Sequence, residues 1–229
     1  MQPFKVTFAL ASPVVVDSEY PIHLDALVAW ALKEEAERDG SEDPWGDADD
    51  LSSALASHVY GPGERDYIWK ASRLFFTPAS ERFLTNMVRR ADPDAIYWDW
   101  ADGNVDIPRV RPSTYSINTV SGQYRGYQML VAQQWMKDVT AWGIGDIERV
   151  RELLSRIKHV GKLGRNGQGR VSAMTVEPAA ADEVEHWMLR TLPHGMAGKP
   201  GVPYAEVNQC LRFPYWRKIA QERALEPVL

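Results

Sequence analysis

The chain has 229 residues, 45% hydrophobic and 25% charged, with a formal net charge of −5, ordinary values for a soluble globular protein with a real core. Its single cysteine, Cys210, excludes an intrachain disulfide framework and a cysteine zinc site, and fits a reducing, cytoplasmic setting. No apolar run reaches the ~20 residues that span a bilayer, and the opening MQPFKVTFALASPVVV, with one positive charge, reads as strand rather than secretory signal.

In FKVTFAL (4–10), Phe4, Val6, Phe8 and Leu10 alternate with Lys5, Thr7 and Ala9, which predicts a half-buried strand. SPVVVDSEYP (12–21) continues extended or turns, punctuated by Pro13 and Pro21. Residues 22–38 place Leu24, Leu27, Val28, Ala31 and Leu32 at helical spacing, an amphipathic helix that runs out at Gly40. The acidic SEDPWGDADDLSS that follows reads as a solvated loop or short helix. Residues 67–76, 105–120 and 127–135 are rich in β-formers. The last two flank the turn-like SGQYRG (121–126), which predicts a strand pair with Tyr124 and Arg125 at its tip. SERFLTNMVRRA (80–91) reads as a short helix. Residues 144–160 put Ile147, Val150, Leu154 and Ile157 on one stripe, with Asp146 as N-cap and Gly161 as stop. GRVSAMTVEP (169–178) is a strand ended by Pro178, and the tail combines aromatic residues with a short helical segment. No internal repeat or low-complexity tract is present.

The charges are segregated. From Glu34 to Asp50 nine residues are acidic and one, Arg38, is basic; from Arg149 to Arg170 seven are basic and one, Glu152, is acidic. Such asymmetry marks either a polyanion-facing side or a helix with a basic solvated face. The basic stretch includes HVGKLGRNGQGRV (159–171), with four glycines, one lysine and two arginines. It is no P-loop: Lys162 precedes Leu163 rather than a hydroxyl residue, and the predicted order is helix, loop, strand. The same order fails the dinucleotide fingerprint, which needs a helix N-terminus after the loop. A mobile turn remains possible, but glycine also permits close backbone approach to a ligand. Lys162, Arg165 and Arg170 can neutralise phosphates while backbone N–H groups bind phosphate oxygens.

A helix, a loop of the form G-K-x-G-x-x-G-x-G-R and then a strand resemble the signature of the RAMP superfamily of CRISPR-associated proteins. ASPVV, PIHLDALVAWAL (21–32), YIWKAS and the closing RFPYW extend the likeness over most of the chain. It is nearest to the Cas-five-like small subunit of type IV CRISPR effector complexes. The resemblance implies an α+β, ferredoxin-like (RRM-like) single domain over residues 1–229, with a β-hairpin insertion around 105–128 that acts as a thumb. It further implies a non-catalytic subunit that grips the five-prime handle of CRISPR RNA and caps a filament of backbone RAMP subunits. Its neighbours would be those subunits and the large subunit of the effector, with target DNA nearby. No cofactor, metal or membrane is implied. Gly161, Lys162, Gly164, Arg165, Asn166, Gly167, Gly169 and Arg170 would be the RNA-contacting loop.

Arg109 and Arg111, two apart on an extended segment, share a face. With Tyr115, Tyr124, Arg125 and Tyr127 they offer the cations and stacking rings used on single-stranded RNA, or a hairpin that packs on its own sheet. Trp98, Trp100, Trp142 and Trp216 are anchors for a protein interface or members of the core. The alternative function is a metal-independent endoribonuclease that processes the CRISPR RNA precursor, which needs a general base, a general acid and a cation on the scissile phosphate. His23, His58, His159, Tyr20 and Lys162 are its candidates, and His23, at the predicted helix start, leads them. Its structural reading is a histidine that caps or packs that helix. DWADGNVD (99–106) has the wrong spacing for a calcium loop.

Overall fold

The computed structural model describes residues 1–15, 21–89, 92–104, 121, 125–215 and 220–228. In chain order the elements are β1 Gln2–Leu10, α1 Leu24–Arg38, α2 Pro44–Asp47, β2 Ser57–Val59, β3 Tyr67–Trp69, β4 Phe75–Pro78, β5 Phe83–Arg89 and α3 Pro93–Ala101. Then come β6 Tyr127–Gln133, β7 Met136–Gly145, α4 Ile147–Leu154, β8 Val171–Pro178, β9 Leu192–Pro193, β10 Tyr204–Gln209 and β11 Glu222–Pro227. The protein is of mixed α+β class, with every described strand pair antiparallel. Two compact units emerge, Met1–Glu81 with Gln134–Leu229, and Arg82–Gln133.

In the first unit the main sheet has the order β4-β7-β1-β8. Its strands and two principal helices follow one another as β1, α1, β4, β7, α4, β8. The alternation read in β1 is real: Phe4, Val6 and Phe8 are fully buried and join Val28 and Ala31 of α1, Val139 and Ala141 of β7, and Leu153 and Leu154 of α4 in one core. The helices also share a charged seam. Glu35 of α1 receives Arg149 and, at 3.0 Å, Arg156, which flank the α4 surface. A smaller core around Ile68, Trp187, Leu192 and Ala224 includes residues of the sheet β10-β11-β9.

Four expectations need correction. Residues 83–89, read as helix, are β5, held in strand by antiparallel pairing of seven successive residues with β6. Residues 127–133 are strand as expected, but this is their partner; the expected one, 105–120, lies outside the described residues. α4 stops at Leu154 with Ser155 as C-cap, six residues before Gly161. The chain beyond it instead runs antiparallel to the start of β8, with Val160 N–H on the Gly169 carbonyl at 2.8 Å and Val171 N–H on the Lys158 carbonyl at 2.9 Å. The tail segment read as helical is β11, drawn into strand by six residues of pairing with β10. Asp146 does cap α4, its carboxylate accepting from the N–H groups of Glu148 and Arg149 at 3.0 and 3.1 Å.

The second unit contains the β5–β6 hairpin and α3, an element the sequence reading passed over. Leu84, Val88 and Leu130, alternate residues of the hairpin, are exposed. Most of the expected insertion, residues 105–120 and 122–124, lies outside the described residues.

Candidate nucleic-acid interface

The glycine loop is a built structure rather than a slack connector. Gly161, Leu163, Gly167 and Gly169 all have left-handed backbone, with φ of +94°, +61°, +82° and +61°. A leucine there costs about 1–2 kcal/mol; it is held by a short turn in which Asn166 N–H donates to the Leu163 carbonyl at 2.9 Å. Gly169 has no substitute, because a β-carbon would lie 1.8 Å from the Val160 carbonyl oxygen.

The base of the loop is nailed to residues 11–15, the ASPVV segment. Lys162 N–H donates to the Val15 carbonyl at 2.8 Å, Gly169 N–H to the Pro13 carbonyl at 2.7 Å, and Ala11 N–H to the Arg170 carbonyl at 2.7 Å. Arg170 N–H donates to Ser12 Oγ at 2.8 Å. The N–H groups of Lys162, Gly169 and Arg170 are used inside the protein, so any phosphate grip there belongs to the side chains.

The basic stretch divides in two. Arg149 and Arg156 are ion-paired with Glu35 and Glu152, and Arg151 bonds Glu148 and, at 2.8 Å, the Val176 carbonyl. The Arg149 guanidinium, opposed by burial and helped by Arg156, holds the Glu35 carboxyl below its ordinary pKa. These three arginines, two on α4 and one just past its end, are used inside the fold. Past them, Lys158, Lys162, Arg165 and Arg170 are exposed, as are Asn166 and Gly167. Lys158, Arg165 and Arg170 make no ion pair among the described residues. Lys158 belongs with the loop cations and was missed; its place immediately before the closing bridge His159↔Arg170 identifies it. Positive charge on a fixed backbone is what a phosphate strand requires.

In the second unit Arg125 and Tyr127 are exposed, the latter at 43%. Arg109, Arg111, Tyr115, Tyr124, Tyr20 and Trp216 lie outside the described residues. Trp98 and Trp100 are exposed, whereas Trp142 is half-buried against Phe75 and His186.

The described histidines among the nuclease candidates lie in three different settings. His159 is exposed beside the loop, and His58 packs on Trp187 at 5.7 Å in the smaller core. His23 sits at the N-cap of α1 with 1% exposure, its ring 4.4 Å from that of Tyr215. Burial, with Arg190 and Arg73 adding to it, drives its pKa well below the usual value, so it stays neutral. A buried imidazole cannot reach a ribose hydroxyl.

Beside His23 lies a knot that sequence reasoning missed. Arg190 is fully buried, and its guanidinium donates to the carbonyls of Trp69, Ala71 and Leu211 at 2.6, 3.1 and 2.7 Å. It also reaches Asp25 at 3.3 Å and Tyr215 at 2.7 Å, while the Tyr215 hydroxyl donates to Asp25 at 2.7 Å. A carboxylate in an apolar helix face and an arginine in WMLRTL were the available signals. Its work is structural, since it ties α1, β3 and the tail together.

Among the described residues no helix is long and apolar enough to cross a membrane. No curated protein matches the chain. The sequence model of the family described as CRISPR type IV associated protein Csf3 matches residues 2–227.

Proposed function

The chain belongs to the family of CRISPR type IV associated protein Csf3, and on that premise we propose that it is the subunit that holds the five-prime handle of the guide RNA and caps the backbone filament. Family membership implies a role in the type IV CRISPR complex. The step from there to RNA rests on one observation: a loop anchored to residues 11–15 that presents Lys158, Lys162, Arg165 and Arg170 outward. Guide complexes leave sequence reading to base pairing and need protein chiefly on the sugar-phosphate backbone. Cations on a fixed backbone suit that task.

The same reading takes the main sheet as ferredoxin-like. The β-α-β-β-α-β sequence and antiparallel order 2-3-1-4 support that reading, and with it placement among RAMP proteins of the Cas-five-like kind. The β5–β6 hairpin, with Leu84, Val88 and Leu130 exposed, takes the part of a thumb pushed between guide bases. We assign no catalytic step, in keeping with the burial of His23.

The full chain, co-expressed with a repeat-containing CRISPR RNA, is purified and its RNA measured by absorbance ratio and sequencing. Wild type is expected to carry handle RNA, and the Lys162→Ala, Arg165→Ala, Arg170→Ala triple variant to lose it with its melting temperature unchanged. Incubation with repeat RNA in EDTA is expected to leave the RNA whole. Equal RNA retention by the triple variant, or site-specific cleavage that His23→Ala removes, would overturn the assignment.

A further inference from the structure

α3 carries its side chains on the surface. None of its nine residues is buried, although an isolated helix shorter than about 12 residues is marginal in water. Local signals hold it: Asp92 accepts from the N–H groups of Asp94 and Ala95 at 3.0 and 3.3 Å, and Pro93 fills the first helical position. What the helix presents is aromatic. Tyr97, Trp98 and Trp100 are 46%, 64% and 39% exposed. The Tyr97 ring lies edge-on to Trp98 at 5.7 Å and tilted to Trp100 at 5.8 Å. Adjoining rings as exposed as Tyr97 and Trp98 mark an interaction surface, and Trp and Tyr are the residues that dominate interface energy.

Charge selects the partner. Between Asp92 and Asn104 there are four aspartates and no lysine or arginine. Asp94, Trp98 and Asp102 follow one another at four-residue spacing, so the most exposed ring has a carboxylate one turn to either side. An RNA strand would meet like charge on both flanks. A protein groove with an apolar floor and a rim of lysine and arginine complements the pattern at every point.

We propose that α3 is a docking helix for a different protein subunit of the assembly, one that offers a basic-rimmed apolar groove. The proposal rests on the reading of this chain as part of a multisubunit complex, and it assigns α3 to protein rather than to RNA.

The test uses the tagged full-length chain, co-expressed with the other protein subunits of its type IV complex and a repeat-containing RNA. Retained proteins and retained RNA are quantified separately. Zero-length carbodiimide cross-linking, mapped by mass spectrometry, is expected to join Asp94, Asp99 or Asp102 to a lysine of another subunit. Tyr97→Ala with Trp98→Ala is expected to cut retention of that subunit at least ~10-fold, as for hot-spot aromatics, with RNA unchanged. Asp94→Lys with Asp102→Lys, which keeps the rings, is expected to do the same and guards against a folding defect in the first pair. The proposal is overturned if both variants keep every subunit, if they lose RNA and keep protein, if the cross-links join two copies of this chain, or if wild type retains no subunit. Subunit retention that depends on α3 in a preparation devoid of RNA would defeat the handle assignment and leave this one standing.

Discussion

Gly169 and Gly167 share a left-handed backbone and differ in what surrounds them. At Gly169 a β-carbon would fall 1.8 Å from the Val160 carbonyl oxygen, whereas at Gly167 nothing lies within 4 Å. Gly167→Ala should therefore cost only the conformational penalty of about 1–2 kcal/mol. Gly169→Ala must also break the Val160–Gly169 and Gly169–Pro13 bonds that close the loop. Thermal melts are expected to rank Gly169→Ala well below Gly167→Ala; equal melting temperatures would refute the loop geometry. These positions were legible in the sequence because glycine advertises unusual backbone. The neighbouring Leu163, also left-handed, gave no such signal, since its conformation is imposed by the turn that follows it.

Among elements, β7 shows how a central strand escapes notice. Its buried positions Val139, Ala141, Gly143 and Gly145 include three small residues, chosen because Phe4 and the Ala54 carbonyl fill the space: a β-carbon on Gly143 would meet the Phe4 ring at 2.6 Å. Alternation of size rather than hydrophobicity carried the message. β5 failed for the opposite reason, since its apolar residues satisfy helix and strand spacing alike and the partner strand decided. The Arg190 knot joins elements far apart in the chain, so no local pattern could assemble it. Arg190→Met would strand Asp25, whose side chain is fully buried, and should cost about 3–5 kcal/mol. Tyr215→Phe removes one hydroxyl from the same network and should cost about 1–3 kcal/mol. Urea midpoints in that order support the knot; an Arg190→Met variant as stable as wild type contradicts it.

Across the whole molecule, the apparent contradiction of an acidic protein with a basic stretch resolves into geography. Part of the stretch neutralises Glu35 on α1, and the rest stands on the loop. Burial also gives the fold an acid-sensitive side. His23 is kept neutral by burial and by Arg190 and Arg73, and His58 and His186 are lowered in the same direction, chiefly by burial. The unfolded chain takes up these protons near pH 6.5 and the folded chain does not. Stability should therefore be full above that pH and decline below it until the folded-state values are reached, for the buried His23 by up to about 1.4 kcal/mol per pH unit. Denaturant midpoints between pH 7.5 and 5.5 measure this, and His23→Leu is expected to flatten the slope; an unchanged slope would show that His23 titrates freely.

The handle claim itself is tested most directly by the salt dependence of binding between the full chain and its repeat-handle RNA, in wild type and the Lys162, Arg165, Arg170 triple-alanine variant. Each phosphate neutralised on a single strand contributes about 0.7 to the slope of log affinity against log salt. Loss of three such contacts predicts weaker binding at low salt and a slope shallower by about 2. Two superimposable salt titrations would mean that the loop does not carry the RNA.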